Sequence, residues 1–351
     1  MPSRVLGMIT NVSAASGYTS TLHLYDISTP TEPVPITVAT PTAVSAMGMA
    51  IDAGNGVSFL TQDVPATTAT YHSCAPPNYA CAVVGPSGGI PGGQWLAFDG
   101  LGNAFATQLS GANSGVVRFN ASTGPTATSL IYTSANAPGA YYGLVVSGAA
   151  STLYVTEGPS NAVNGVGVTI HACNSPCPAG GTDITAALRT SMGSNTANFS
   201  GALGISGLGD LVVGLSNTSG SSNPAGTSQI AIVCSSPNGT TFACQSTAFL
   251  SAAFTGVSGL SPWDGTAAIA LDPSFNVYTA AFLRSGGSTA PAPSINAYAD
   301  GDTFQPFSCG ITTGTPAVPD CPINQLPGPP AYTQGALPAP YSMAATGLDS
   351  L

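Results

Sequence analysis

The chain has no lysine, and its four arginines, Arg4, Arg118, Arg189 and Arg284, are scattered among 351 residues against fourteen acids, for a net charge of −10. Phosphate binding needs a clustered basic patch that releases counterions, so nucleic acid is excluded as a natural partner, and anionic membrane surfaces are disfavoured for the same reason. Long hydrophobic runs are also missing. The apolar stretches are about strand length, which leaves nothing to span a bilayer as a helix. Charged residues make up only 5% of the chain, but 43% is hydrophobic, enough to bury a sizeable core and to exclude a simple disordered polymer. No export signal is visible: Met1-Pro2-Ser3-Arg4 leads straight into Val5–Thr10, too short and too Gly-broken for a signal core, which implies a processed or recombinant start.

What recurs is a short apolar phrase ending on a polar residue. It appears six times, as Met49-Ala50-Ile51-Asp52, Leu96-Ala97-Phe98-Asp99, Leu144-Val145-Val146-Ser147, Leu203-Gly204-Ile205-Ser206, Ala268-Ile269-Ala270-Leu271-Asp272 and Met343-Ala344-Ala345-Thr346. The polar anchors are 47, 48, 59, 66 and 74 residues apart, spacings that suit four-stranded propeller blades with lengthening loops. Asp52, Asp99 and Asp272 share a register, yet each is followed by turn residues, so turn capping accounts for them better than shared chemistry does.

The eight cysteines fall into four local pairs: Cys74 with Cys81, Cys173 with Cys177, Cys234 with Cys244, and Cys309 with Cys321. Pairs closing short loops inside one repeat are the simplest connectivity, which predicts four hairpin-clamping disulfides and an extracellular, periplasmic or cell-surface location. The rival is metal, since His72-x-Cys74 and His171-x-Cys173 each put two ligand types on one strand face. A whole repeat separates the two clusters, so they cannot share an ion, and neither has zinc-finger spacing. Five Asn-x-Ser/Thr sequons, at Asn11, Asn120, Asn198, Asn217 and Asn238, are surface acceptors if the source glycosylates secreted proteins, and chance otherwise.

The second repeat can be read strand by strand. Trp95–Asp99 is an apolar strand, Gly100–Asn103 a turn and Ala104–Thr107 the return, followed by strands at Val116–Phe119 and Ser129–Tyr132. The run WLAFDGLGNAFATQLSGANSGVVRFNASTG, Trp95 to Gly124, resembles the NHL repeat and related six-bladed propellers of extracytoplasmic bacterial proteins. Their units look like an apolar strand, an Asp, a Gly-containing turn, a β strand and a basic-aromatic strand. Repeats beginning near Met47, Tyr142, Gly201 and Thr266 keep the pattern, but only Arg118 fills the basic position, with His72 and His171 in the corresponding places. The resemblance implies an all-β fold, a six-bladed β-propeller of four-stranded antiparallel blades.

The ends of the chain complete such a ring. Ser342–Thr346 is a first strand with no blade after it, while Val5–Thr10, Thr21–Tyr25 and Pro35–Val38 supply the three strands it lacks. Residues 1–40 with 341–347 then form the last blade, the Pro-rich stretch 322–340 is an extended connection, and residues 1–351 make a single domain whose sheet edges are closed.

Two sets of residues are candidates for a site. Beyond the second strands lie Asn11, Gln62, Gln108, Glu157, Leu215 and Ala281, of which the first four form a polar crescent able to hold a ligand or a calcium ion, or simply to bond loop backbone. Around the starts of the first strands lie Trp95, Tyr141, Tyr142, Phe199, Trp263 and Tyr341, whose rings suit sugars or extended peptides, or wedge between blades. An enzyme is poorly supplied, because His23, His72 and His171 all fall on third strands near the rim. Streptogramin-lyase-like propellers carry channel histidines with no match here. Gluconolactonase-like propellers hold a metal with Glu, Asn and Asp, groups that Glu157, Asn11 and Asp63 offer without the surrounding motifs. No cofactor is expected, calcium at Glu157 being the one exception. The reading that results is a non-catalytic extracytoplasmic propeller that binds a glycan, peptide or protein partner on its long-loop face. Its alternatives are a self-assembling surface subunit, which scarce charge would permit, and a metal-dependent lactonase or hydrolase.

Overall fold

The computed structural model describes residues 2–14, 17–29, 34–39, 42–63, 68–110, 113–134, 140–147, 152–159, 167–174, 176–177, 180–193, 198–205, 209–216, 229–235, 241–244, 249–250, 265–272, 277–282, 294–298, 311–312, 318–319 and 339–345. The chain opens with β1 (Val5–Ala14), β2 (Gly17–Asp26), β3 (Val34–Ile36) and β4 (Thr42–Val44), the last two both paired to β2. A second sheet holds β5 (Ala46–Ile51), β6 (Val57–Asp63), β7 (Thr68–Ala75) and β8 (Ala80–Val83) in order, with β9 (Ile90–Pro91) also on β7. The third is β10 (Leu96–Phe98), β11 (Asn103–Gln108), β12 (Gly115–Asn120) and β13 (Ser129–Thr133). The fourth is β14 (Ala140–Val146), β15 (Thr152–Gly158), β16 (Thr169–Asn174) and β17 (Thr182–Asp183), followed by the short helix α1 (Thr185–Ser191). In the fifth, β18 (Asn198–Ile205), β19 (Leu211–Ser216), β20 (Gln229–Ser235) and β21 (Ala243–Cys244) are joined by β22 (Phe249–Leu250) on β20. The sixth is β23 (Gly265–Leu271), β24 (Val277–Phe282) and β25 (Ser294–Tyr298). A two-stranded ladder of β26 (Ile311–Thr312) and β27 (Val318–Pro319) follows, and β28 (Ala339–Ala345) pairs antiparallel with β1.

This is an all-β propeller. The repeated phrases form the inner strands, and their continuous apolar character has a cause: each is pressed on both faces by neighbouring sheets. All six residues of β5 are buried. Between successive sheets lie separate apolar layers, one holding Leu60, Tyr71, Leu96 and Phe119, the next Phe105, Tyr132, Leu144 and Val155. α1 adds Leu188 to the layer between the fourth and fifth sheets.

The sheets are not equal four-stranded units. Five contain a four-strand path, three of those carry an extra short strand, and the sixth has three strands among the described residues. The extra strands are outer strands cut in two. On β7, the pairing of Cys74 with Cys81 and His72 with Val83 breaks off, then resumes with Ala69 opposite Ile90. Pro86 lies in the gap, and proline has no N–H to give to a ladder.

Five of the six inner strands share a second feature, β10 alone pairing in unbroken register. Register shifts interrupt their pairing at Met47/Met49, Tyr141/Gly143, Phe199/Leu203 and Thr266/Ala268, and at Ile9/Thr10 against β28. Such bulges bend a strand locally, and two of them lie at close approaches to the neighbouring strand. At Gly48 a Cβ would stand 2.4 Å from the Trp95 Cα, and at Gly143 2.3 Å from the Gly201 carbonyl oxygen.

The turn residues behave as read. Asp52 accepts from the Gly56 N–H at 2.7 Å. Asp99 accepts from the N–H groups of Leu101 and Asn103 and from the Asn103 amide. Ser147 accepts from the Thr152 N–H at 3.0 Å. Asp272 departs from that pattern: it is fully buried, accepts from the Tyr278 hydroxyl and lies 3.6 Å from the Arg4 guanidinium. It thus ties the sixth sheet to the start of β1.

Three disulfides are formed, Cys74–Cys81, Cys173–Cys177 and Cys234–Cys244, and they account for the cysteines that the metal reading would need. Cys309 and Cys321 lie outside the described residues. The three bridges indicate an oxidising compartment and so an extracellular or secreted protein. No helix among the described residues is long and apolar enough to cross a membrane.

Reduction should lower the melting temperature without dissolving the fold, because loops of 7, 4 and 10 residues are worth about 2–3 kcal/mol each in chain entropy. Far-ultraviolet circular dichroism with and without reductant checks this, and wholesale unfolding would contradict it. Gly48→Ala should cost about 3 kcal/mol, since backbone rather than a flexible side chain must move. A denaturant midpoint unchanged from wild type would count against the close approach.

Candidate functional site

Alternation along the inner strands sets large side chains against small ones, and the small ones leave the axis open. Ala50, Ala97, Gly204, Ala270 and Ala344 lie in the phrases beside Met49, Leu96, Leu203 and Ile269. All of them line one cavity of about 680 Å³, to which β5, β10, β14, β18, β23 and β28 all contribute. Its walls between the ends are mainly aliphatic, with Trp95 and Phe98 among them. At one end the lining passes into the turns after the inner strands, through Asp52, Gly54, Asp99 and Gly102. From there a groove runs outward between the second and third sheets, with Ser58, Tyr71 and Ser73 on one side and Asn103, Asn120 and Ser122 on the other.

The groove is held by local bonds. The Tyr71 hydroxyl donates to Ser58 Oγ at 2.9 Å, and Asn120 Oδ1 accepts from both the N–H and the hydroxyl of Ser122. An apolar channel with a polar outlet is an arrangement in which ligands bury their apolar body while a few polar groups fix orientation.

The polar crescent takes a different course. Asn11 stands in β1 opposite Ser20, its side chain outside the described set. Gln62 is half-buried in β6, opposite Ala69. Gln108 donates to the Asn113 carbonyl at 2.7 Å, the loop-bonding role weighed from sequence. Leu215 is core, while Ala281 lies in β24 opposite Thr266. Neither Gln62, Gln108 nor Glu157 lines the cavity, which ends in the turns at the other ends of these strands.

Glu157 is 1% exposed and turns into the layer between the third and fourth sheets. Its Oε1 lies 3.2 Å from His171 Nε2, itself 4% exposed, and its Oε2 accepts from the Tyr132 hydroxyl at 3.2 Å. Strand register explains the meeting. Glu157 is opposite Thr169 on β16, so His171, two residues on, shares its face, as does Tyr141 across β14. Neither the pairing nor Tyr132, which comes from another sheet, was legible from the repeat pattern; the only sequence signal was that alternation. Asp63, the other acid proposed beside Glu157, ends β6 with its side chain outside the described set. Among the described residues no group of three or more metal-ligating side chains occurs.

The aromatic candidates separate too. Trp95 lines the cavity but gives its indole N–H to the Tyr141 carbonyl at 2.7 Å. Tyr142 donates to the Pro159 carbonyl and packs against the next layer of core. Tyr141 and Phe199 are buried. Tyr341 stands in β28 at the register shift against β1, its side chain outside the described set, and Trp263 lies outside the described residues. Sequence reasoning missed the groove. Asn120 and Ser122 drew notice only as a sequon, and Ser58 and Ser73 not at all.

Burial governs the tyrosines. It pushes the Tyr25 hydroxyl up to about 12. Burial first, and then the nearby Glu157 charge, also raises Tyr132 and Tyr141.

No protein-family model and no curated protein matches the chain. Among solved structures it is similar to a chain in a nidogen/laminin complex, at 10% identity over 99% of this chain and 99% of that one, with a TM-score of 0.50. A putative 6-phosphogluconolactonase from Bacteroides fragilis is similar at 10% identity over 99% and 98% of the two chains, with a TM-score of 0.49. TolB from Acinetobacter baumannii is similar at 13% identity over 85% of this chain and 61% of that one, with a TM-score of 0.46. At these identities the likeness is one of fold.

The tyrosines generate a pH prediction. A free phenol ionises near 10, so the unfolded chain starts to lose these protons at about pH 10 while the folded chain retains them. Stability is therefore intact below about pH 10 and falls above it, through about 12 for Tyr25 and further for Tyr132 and Tyr141. With no lysine to titrate in the same range, phenolate absorbance should rise together with loss of sheet dichroism. A full phenolate rise near pH 10 with the fold intact would contradict the burial.

Proposed function

We propose that this chain is a non-catalytic binding propeller, a single ring of six NHL-like blades in residues 1–351, that takes a peptide or an exposed segment of a protein partner at the turn end of its channel. Its setting is the cell surface, the periplasm or the extracellular space. The observation that carries the reading is the axial cavity, lined by residues from all six phrases and opening into a polar groove. The same lining supports six blades, and the β28–β1 pairing supports closure by residues 1–40 with 341–347. The run Trp95–Gly124 supports the NHL-like assignment.

The walls are mainly aliphatic, and of the aromatic residues among them Trp95 and Tyr71 have their polar edges bonded to protein while Phe98 has none. This suits apolar side chains of a peptide better than a carbohydrate, whose rings need flat aromatic partners with free polar edges. Catalysis gains no support from the histidine and acid that do meet, since Glu157 and His171 are buried between sheets and away from the cavity. Burial of Glu157 counts against the calcium role suggested for it with Asn11 and Asp63.

Panning a random displayed peptide library against the purified protein tests the reading and locates the face. Enriched peptides should bind the wild type and the Gln62→Ala and Gln108→Ala variants alike, and should lose at least tenfold in affinity for Ser122→Arg, an exposed groove position. The reverse pattern would move the site to the long-loop face. The protein should remain a monomer in native mass measurements, and ordered filaments would replace the binding reading with self-assembly.

A further inference from the structure

We infer that the turn-end site selects an aliphatic peptide segment that carries positive charge, with Leu- or Ile-like side chains in the channel and a Lys or Arg beside Asp52. The inference rests on the peptide-binding reading and concerns its specificity.

The apolar half follows from the walls. Met49, Ile51, Leu96, Leu144, Leu203 and Ile269 present aliphatic surface around an axis that small residues hold open. Between the two ends the described side chains of the lining are apolar, so an apolar side chain is the occupant that loses least on entering.

The charged half follows from what surrounds the mouth. Among the described residues, two carboxylates line the cavity and no arginine or histidine does. Asp99 is 2% exposed, and its oxygens are taken up by Leu101 and Asn103. Asp52 is exposed, and Gly56 is its bonded partner through one oxygen. Of the described arginines, Arg4 lies at this same end, where Asn55 of the Asp52 turn bonds the Pro2 carbonyl, but its charge is taken up by Asp272; the other two are turned elsewhere. Arg118 follows Val117 and precedes Phe119, which packs edge-on against Tyr71 of the groove, so strand alternation puts Arg118 on the far face of its sheet. Arg189 lies over the Phe199 ring, beyond the fourth sheet. An acidic segment would meet Asp52 with nothing to compensate it, and a chain of net charge −10 repels it at longer range as well.

Three synthetic peptides test this, sharing one Leu-rich core and flanked by Lys, Gln or Glu, with binding read by calorimetry and from tryptophan emission, of which Trp263→Phe isolates the Trp95 part. The Lys peptide should bind about tenfold or more tighter than the Glu peptide at low ionic strength, and the gap should close as salt is added. Asp52→Asn keeps an oxygen for the Gly56 N–H while removing the charge, and should shrink the gap by most of its size, with dichroism and melting temperature reporting that the fold is kept. Replacing the core Leu by Ser should abolish binding of all three. Equal affinity for the Lys and Glu peptides, or an undiminished gap in Asp52→Asn, overturns the charge selection and leaves the peptide-binding reading standing. Tolerance of Ser overturns the apolar half. If none of the three binds while library-selected peptides do, the inference fails alone; if those also fail, both fall.

Discussion

The inner strands have to approach one another closely around a shared axis, and the rest of the structure depends on how that contact is made. Gln94 shows the device most fully. Its carbonyl accepts from the Gly48 N–H of the second sheet at 2.7 Å, its side-chain oxygen accepts from the Tyr141 N–H of the fourth at 2.8 Å, and its own N–H donates to Thr107 in the third. Trp95 adds a bond to the Tyr141 carbonyl. Three successive sheets are thereby joined through Gly48, which its strand's bulge leaves out of ladder pairing, and through Tyr141, which stands beside the bulge of the fourth sheet. A bulge without such partners would leave buried N–H groups unpaired, and a side chain at Gly48 would hold the strands apart.

Scarcity of charge shapes what surrounds this frame. With four arginines and no lysine, the chain cannot secure its turns and sheet contacts with many ion pairs, and exposed pairs contribute little in any case. Carboxylates are used as hydrogen-bond acceptors instead. Asp99 gathers three donors in one tight turn, and Ser147 does part of the same work without charge at the equivalent place. The other two buried acids among the described residues are supported differently. Asp272 faces Arg4 and Tyr278, and Glu157 faces His171 and Tyr132. In each case the partners include a residue from a neighbouring sheet, so burial of the acid is conditional on the sheets being docked.

That condition divides what could be read from the sequence from what could not. The propeller fold was legible because an inner strand pressed on both faces must be apolar throughout, and a turn after it must be capped, whatever its neighbours are. Three cysteine pairs were legible because the partners stand across one hairpin or close a short loop, as Cys74 and Cys81 or Cys234 and Cys244 do across theirs. Glu157 was misplaced because its environment comes from Tyr132, a residue 25 positions away in another sheet, and no periodicity within its own repeat encodes that contact. The uneven outer strands escaped for a related reason. An interruption such as Pro86–Gly89 is compatible with either a loop or a strand that resumes, and only the pairing of Ile90 with Ala69 decides between them.

The axis itself is where the repeat and its departures meet. Setting Ala or Gly beside larger aliphatics packs most of the inner strands, and it also produces an open lumen lined, among the described residues, chiefly by apolar side chains. Symmetry would make both outlets of that lumen alike. They differ because the turns after the inner strands end in Asp52 and Asp99 and adjoin Asn120 and Ser122, whereas the opposite ends carry Gln94 and Trp95 already engaged in joining sheets. The end committed to holding the ring together is thereby the less free to bind anything else. On the proposed binding reading, recognition falls to the end where polar groups of two neighbouring sheets face each other across a groove.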